Sequence, residues 1–176
     1  VNRDIDVRVL TRDPERTRHL EAERVEVVTG DVRDRNSLNR ATAGVEVVVS
    51  AVQGFAGPGG TSPVTIDRDG NANLTDAAGA AGADLVLMST VGAAADSPLE
   101  LFRMKRAAEE YASASGVPTT VIRATAFAEL WIDLLEQTAR RSGRPLVFGH
   151  GDNAINFVSV NDCLLYTSDA ADDLTR

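Results

Sequence analysis

Short runs of β-branched and apolar residues alternate with longer amphipathic segments along most of the chain. The run Val47-Val48-Val49 is apolar without interruption, which is typical of a strand buried on both faces of a parallel sheet. Strand–helix alternation at this spacing predicts an α/β fold with a doubly wound parallel sheet and right-handed crossovers. The predicted strands cover residues 7–10, 25–28, 45–52, 85–88 and 119–122, followed by short strands at 146–148 and 157–160.

Capping residues mark the helices between these strands. Asp13 followed by Pro14 is a typical helix start, and Gly44, Gly82 and Gly116 occupy positions where a left-handed residue ends a helix. No internal repeat or linker interrupts the pattern, so one domain is predicted over residues 1–162. The predicted helices cover about residues 14–22, 37–43, 65–81, 99–115 and 127–141.

Composition narrows the class of protein. A hydrophobic fraction of 43% and a charged fraction of 25% are ordinary for a soluble globular protein. A net charge of −8 argues against a nucleic-acid-binding surface, and no apolar stretch is long enough to span a membrane. One cysteine, Cys163, and two distant histidines exclude a disulfide framework and make a metal site unexpected. We expect a soluble cytoplasmic protein.

Several segments, in this order and at this spacing, resemble one known family. The chain is similar to the NmrA-like, NAD(P)H-binding group of atypical short-chain dehydrogenases over residues 1–162. This resemblance implies a Rossmann-like domain that binds a nicotinamide dinucleotide. The segments that carry it are residues 7–14, 30–32, 67–74 and 88–93, Lys105 with Glu109, and residues 115–123 and 157–162.

The chain departs from the family pattern at both ends. Members of the family begin with a strand and a G-x-x-G-x-x-G turn that holds the cofactor pyrophosphate, and nothing in residues 1–6 matches them. We therefore expect an N-terminally truncated domain that lacks its first strand and Gly-rich loop. In a doubly wound sheet that strand lies between the predicted strands 7–10 and 45–52, so the sheet is expected to split there.

Residues 163–176 form the second departure. They resemble a translated sequencing-adapter read-through and are predicted to be a non-native tail. The alternative is a native helix capped by Ser168.

The cofactor prediction depends first on Arg12. It ends the strand that meets the adenosine ribose in doubly wound folds, where an acidic residue favours NAD and an arginine favours the 2′-phosphate of NADP. This predicts NADP(H), with NAD(H) as the alternative, although a solvated arginine is also compatible. The resemblance further implies an adenine contact for Asp31 with Val32 behind it, and Asp31 also suits a turn or helix cap.

Further cofactor contacts are predicted along the same edge of the sheet. Ala51, Val52 and Gln53 close the third strand at its carboxyl end, where ligands bind in open α/β sheets. The small side chain of Ala51 would let a dinucleotide lie against the backbone. The resemblance places Phe127 in the wall of the nicotinamide site.

The candidate catalytic residues also come from the resemblance. Short-chain dehydrogenases place a hydroxyl at the position of Ser89 and Thr90, and Lys105 aligns with the lysine of their Y-x-x-x-K motif. We therefore predict Thr90 and Lys105 as catalytic, with Ser89 and Lys105 also contacting the cofactor. Leu101 stands where the family has its tyrosine, so the usual proton donor is missing.

Two functions remain open at this stage. One is an NADP(H)-dependent oxidoreductase that reduces a small carbonyl, quinone or enone. The other is a non-catalytic regulator that senses NAD(P) and binds a protein partner. An epimerase is disfavoured because its chemistry normally uses the tyrosine that Leu101 replaces.

Overall fold

The computed structural model describes residues 5–20, 24–54, 59–145 and 154–163. The chain divides into two compact units, Val1–Ile122 and Arg123–Arg176, and each is described by itself. The strand predicted over residues 146–148 and nearly all of the predicted tail lie outside the described residues.

The strands of the first unit form two separate sheets. β1 and β2 form a two-stranded parallel sheet in which Val7 is opposite Val25. β3, β4 and β5 form a three-stranded sheet in that order, with β3 parallel to β4 and Val47 opposite Asp84. The bounds are Val7–Thr11 for β1, Val25–Thr29 for β2, Val47–Ser50 for β3, Asp84–Thr90 for β4 and Thr119–Ala124 for β5.

The predicted α/β fold with parallel strands is confirmed. The predicted break is also present, because β1 and β3 are hydrogen-bonded to their other neighbours and not to each other. The chain therefore presents the edges of β1 and β3 to a gap inside the first unit.

Helical segments of several kinds connect the strands of the first unit. The segment predicted as a helix over residues 14–22 is instead a 3₁₀ helix, and the helix predicted over 65–81 begins with a π turn. Ser62 caps this turn through a capping box with Thr65. The bounds are Pro14–Leu20 for the 3₁₀ helix, Arg35–Thr42 for α1, Pro63–Arg68 for the π turn, Asp69–Ala81 for α2 and Glu100–Ala114 for α3.

The core lies between the three-stranded sheet and helices α2 and α3. Leu85 and Leu87 of β4 point into it and are 1% exposed, while Ala78 and Ala112 let the helices approach closely. The opposite face of β3 was predicted to be buried and is not, since Val49 is 66% exposed. A strand's apolar composition predicts burial only if another layer covers it, and the described residues leave this face of β3 open.

The second unit contains two short parallel strands and one helix. β6 (Ala126–Phe127) pairs with β7 (Phe157–Val158), and α4 spans Ala128–Ser142. Trp131 meets Phe157 edge to face, with ring centroids 6.1 Å apart. No helix in the described part of the chain is long and apolar enough to cross a membrane.

Candidate functional site

Polar and small residues follow the strands of the first unit at their carboxyl ends. Arg12 comes directly after β1, and Asp31 with Val32 comes two residues after β2. Ala51, Val52 and Gln53 follow β3. Because parallel strands end at the same edge, these predicted cofactor contacts share one edge of each sheet.

Arg33, which the sequence analysis did not single out, follows β2 and contacts both Asp31 and Gly59. The guanidinium of Arg33 grips the Asp31 carboxylate, with Nε 3.0 Å from Oδ1 and Nη2 2.5 Å from Oδ2. Its Nη1 also donates to the carbonyl oxygen of Gly59 at 2.6 Å. On the other side, Arg12 Nη1 lies 3.4 Å from Thr61 Oγ1. The two arginines therefore hold the two ends of residues 59–61.

The charges of this corner depress the pKa of Asp31. The hydrogen bonds from the Arg33 side chain are the main cause of the lowered pKa, and the positive charge of Arg12 adds to them. The lowered pKa favours the ionised form of Asp31, and Arg33 is its main hydrogen-bond partner. The only sequence signal for this contact was the Asp-x-Arg spacing, which many solvated turns share.

Lys105 is buried among three oxygen atoms. Its ammonium lies 3.0 Å from Asp67 Oδ1 and donates to the carbonyl oxygens of Val52 at 3.0 Å and Met88 at 3.2 Å. Two of the three ammonium donors therefore have carbonyl acceptors, and Asp67 Oδ1 is an ion-pair partner of the same ammonium. Lys105, which is the only lysine in the chain, therefore connects β4 and the residues after β3 to the π turn.

Asp67 is the partner that holds Lys105, and sequence reasoning did not single it out. Its side chain is fully buried in the π turn, and Oδ2 accepts a hydrogen bond from the backbone N–H of Gly54 at 2.8 Å. Oδ1 has the ammonium at close range and no hydrogen bond of good angular geometry within the described residues. Asp67 thereby connects the end of the third strand to the ammonium.

A glycine is required at position 54 for this contact. A Cβ there would lie 2.2 Å from the backbone oxygen of Ser62 and 2.9 Å from Cβ of Ile66. The close approach of the two segments explains why the backbone N–H can reach the buried carboxylate.

The two hydroxyls at the end of β4 differ in their surroundings. Ser89 is 6% exposed, and its Oγ donates to Oε1 of the buried Glu109 at 2.5 Å. Thr90 is half-buried, and its Oγ1 bonds only weakly, 3.3 Å from the carbonyl oxygen of Val91. Thr90 can therefore turn toward a ligand more easily than Ser89.

The last predicted contact, Phe127, belongs to the second unit. It lies in β6 opposite Val158 and precedes α4. Across the described ranges, no three His, Cys, Asp or Glu side chains are grouped closely enough to hold a metal ion.

The sequence itself identifies the family. Residues 1–137 match the profile of a family described as NAD(P)H-binding, which is well over half of the chain. The chain belongs to this NAD(P)H-binding family. No curated protein matches it in sequence.

Solved structures share the fold of this NAD(P)H-binding chain. Pen from Bacillus thuringiensis has a TM-score of 0.76 at 17% identity, with 93% of this chain and 56% of that chain covered. The NADPH-dependent quinone oxidoreductase of Escherichia coli, complexed with NADPH, has a TM-score of 0.59 at 23% identity, with 77% and 45% covered. The triphenylmethane reductase of Citrobacter sp., complexed with NADP(H), gives the same figures. The chain thus spans about half the length of these proteins.

Proposed function

We propose that this chain is the dinucleotide-binding part of an NADP(H)-dependent oxidoreductase of the NmrA-like type. Its substrate is a small carbonyl, quinone or enone. Membership of the NAD(P)H-binding family supports the cofactor class. The observation that carries the preference for NADP(H) is the pair of arginines at the ends of β1 and β2.

Arg12 and Arg33 together suit an adenosine 2′-phosphate. Guanidinium groups bind phosphate through planar, charge-assisted hydrogen bonds, and the two arginines flank the same short segment, residues 59–61. Arg12 makes one long hydrogen bond among the described residues, so its other donors can turn to a ligand. A ribose hydroxyl would need a carboxylate instead, and Asp31 is already paired with Arg33.

When bound, the cofactor supplies the hydride. In this proposal the chain's residues bind and orient the reactants. The arginines hold the adenosine end, and Ala51 leaves room beside the strand end. Lys105 positions the segment after the carboxyl end of β3 through its hydrogen bond to Val52. Thr90 offers a hydroxyl to the substrate.

Cofactor titrations test the proposal. In the natural polypeptide that carries this sequence, Arg12→Ala and Arg33→Ala should each weaken NADPH binding by roughly tenfold to a hundredfold, equivalent to about 1.5–3 kcal/mol for a charge-assisted hydrogen bond. NADH binding should change little, because it lacks the 2′-phosphate. Arg18→Ala, which removes an exposed arginine paired with Glu15, is the matched control. Equal losses for both cofactors would contradict the arginine assignment.

A non-catalytic NAD(P)-sensing regulator is the second candidate. Two observations favour it: Leu101 provides no proton, and the Lys105 ammonium is buried and held by two carbonyl oxygens and the Asp67 carboxylate. Steady-state NADPH oxidation with a panel of quinones and enones separates the two functions. Turnover above the uncatalysed rate supports the reductase, whereas tight NADPH binding without turnover supports the regulator.

A further inference from the structure

The segment formed by residues 59–61 contacts the two arginines that the proposed function assigns to the adenosine 2′-phosphate. At one end, Arg33 Nη1 donates to the carbonyl oxygen of Gly59 at 2.6 Å. At the other end, Arg12 Nη1 lies 3.4 Å from Thr61 Oγ1, which is longer than an ordinary N–H···O hydrogen bond. The bond from Arg33 to Gly59 is therefore the stronger of these two contacts.

Arg33 holds Gly59 with the nitrogen that does not face Asp31. The Asp31 carboxylate takes the side of the guanidinium formed by Nε and Nη2. A phosphate that binds Arg33 therefore approaches from the side of Nη1, where the Gly59 carbonyl oxygen already lies. Two oxygen acceptors repel each other at one donor nitrogen, and the phosphate oxygen forms the stronger hydrogen bond because it is ionised. The phosphate and the Gly59 carbonyl thus compete for Nη1.

The backbone of Gly59 can change its conformation at little cost. Its φ is +71°, and among the described residues no heavy atom lies within 4 Å of the position that a Cβ would occupy. Glycine leaves the left-handed region without the steric cost that a Cβ imposes. On the following side, the Gly60 carbonyl oxygen accepts a hydrogen bond from Thr65 Oγ1 at 2.9 Å, and Thr65 belongs to the capping box of the π turn. Gly59 can therefore move while the π turn stays in place.

We propose that the Gly59 carbonyl is an internal competitor for the 2′-phosphate site on Arg33, which NADP(H) displaces and NAD(H) does not. This inference rests on the proposed function, because it requires Arg33 to bind the 2′-phosphate. When the phosphate binds, Nη1 exchanges the Gly59 carbonyl for a phosphate oxygen, and Gly59 leaves the guanidinium. The position of Gly59 thus depends on which of the two cofactors is bound.

The competition also sets the affinity for the phosphate. Only the fraction of molecules in which Gly59 has left Arg33 is competent to bind it, and the apparent affinity is reduced by that fraction. A substitution that disfavours the conformation of Gly59 seen here should therefore tighten phosphate binding. A residue with a purely structural role would not produce this gain.

Gly59→Val tests the competition in the natural polypeptide that carries this sequence. A β-branched residue is strongly disfavoured at positive φ, and the open surroundings mean that the substitution acts through the backbone and not through a clash. The variant should bind adenosine 2′,5′-bisphosphate at least about threefold more tightly than the parent in isothermal titration calorimetry. Adenosine 5′-monophosphate, which differs only in lacking the 2′-phosphate, should bind equally to both.

Gly116→Val is the matched control for Gly59→Val. Gly116 has φ +80°, and again no heavy atom of the described residues lies within 4 Å of its Cβ position. It precedes β5, whereas Arg33 follows β2, so the substitution imposes a similar backbone strain without removing an acceptor from the arginine. Its affinity for both nucleotides should equal that of the parent.

Nuclear magnetic resonance of the parent protein measures the exchange directly. With isotope-labelled glycine, the carbonyl resonance of Gly59 is observed through the amide of Gly60. Adenosine 2′,5′-bisphosphate should move this resonance toward its position in ligand-free Arg33→Ala, in which the hydrogen bond to Gly59 is absent. Adenosine 5′-monophosphate should leave the resonance in place, and Arg18→Ala without ligand should match the parent.

The outcomes separate this inference from the proposed function. If the bisphosphate binds more tightly than the monophosphate and the Gly59 resonance does not move, the competition is wrong while the arginine assignment stands. Unchanged or weaker bisphosphate binding by folded Gly59→Val would also overturn the competition. Equal binding of both nucleotides to the parent would overturn the preference for NADP(H) and this inference together. The resonance measurement uses the parent protein, so it decides the question even if Gly59→Val does not fold.

Discussion

Lys105 and Asp67 form a buried ion pair in which Nζ lies 3.0 Å from Oδ1, with side chains 9% and 0% exposed. The pair joins α3 to the π turn, and its other hydrogen bonds reach the backbone at Val52, Met88 and Gly54. A lysine for which the family resemblance implies a catalytic role thus also links three segments of the fold, and the catalytic role stays a prediction.

Removing one member of the pair should destabilise the protein strongly. Lys105→Met leaves the Asp67 carboxylate buried without its cation, and the expected loss in the free energy of unfolding is about 3–5 kcal/mol. The double variant Lys105→Met with Asp67→Asn should recover part of the lost free energy of unfolding, because it no longer buries an unpaired carboxylate. Urea denaturation monitored by circular dichroism measures both. The exposed control Arg18→Met should leave the free energy of unfolding nearly unchanged.

This prediction bears on how an activity assay of a Lys105 variant is interpreted. Lost turnover would indicate a catalytic role only if the variant retains the thermal stability and far-ultraviolet spectrum of the parent. If Lys105→Met is as stable as the parent, the ion pair contributes little and the structural role is wrong.

Gly54→Ala should also be destabilising. The added Cβ would lie 2.2 Å from a backbone oxygen and 2.6 Å from a backbone carbon of Ser62, which cannot move as a flexible side chain does. Overpacking typically costs about 1–3 kcal/mol, and displacement of Gly54 would also weaken its hydrogen bond to Asp67. Thermal denaturation should show a clear fall in Tm.

A second glycine variant serves as the control for Gly54. Gly82 ends α2 with φ +70°, and no heavy atom lies within 4 Å of the position that a Cβ would occupy there, so Gly82→Asn meets no clash. Asparagine tolerates the left-handed conformation, and the fall in Tm should be smaller. A larger effect at Gly82 than at Gly54 would contradict the crowding argument.

Asp31 should contribute to stability in a pH-dependent manner. Arg33 holds its pKa below the ordinary carboxyl value, so the folded state favours the carboxylate. This contribution is fully present above the unfolded-state pKa of roughly 3.9 and is lost as pH falls through the folded-state pKa. The difference in unfolding free energy between the parent and Asp31→Asn should therefore be largest near neutral pH and shrink in acid.

The same pH series on Arg33→Gln checks the cause. Without the guanidinium, the pKa of Asp31 should return toward its ordinary value, and the effect of Asp31→Asn should vary less with pH. Urea midpoints at several pH values between neutral and about pH 3 measure the difference. An unchanged pH dependence in Arg33→Gln would assign the lowered pKa to another group.

The sequence by itself determined the alternation of strands and helices, the strand ends that carry Arg12, Asp31 and Ala51, and the resemblance to an NAD(P)H-binding family. These features depend on near neighbours: a β-branched run favours a strand, and parallel strands align their carboxyl ends. The gap beside β1 also followed from the sequence, because the order of strands in a doubly wound sheet is set by topology.

Only the tertiary structure decided what the polar side chains bind. Lys105 and Asp67 are far apart in sequence, and their contact depends on how closely the π turn packs against the end of β3, which Gly54 permits. Arg33 likewise reaches Gly59, which lies 26 residues further along the chain. Charge and spacing show that such residues are present, but a buried charge takes whichever partner satisfies it, and long-range packing selects that partner.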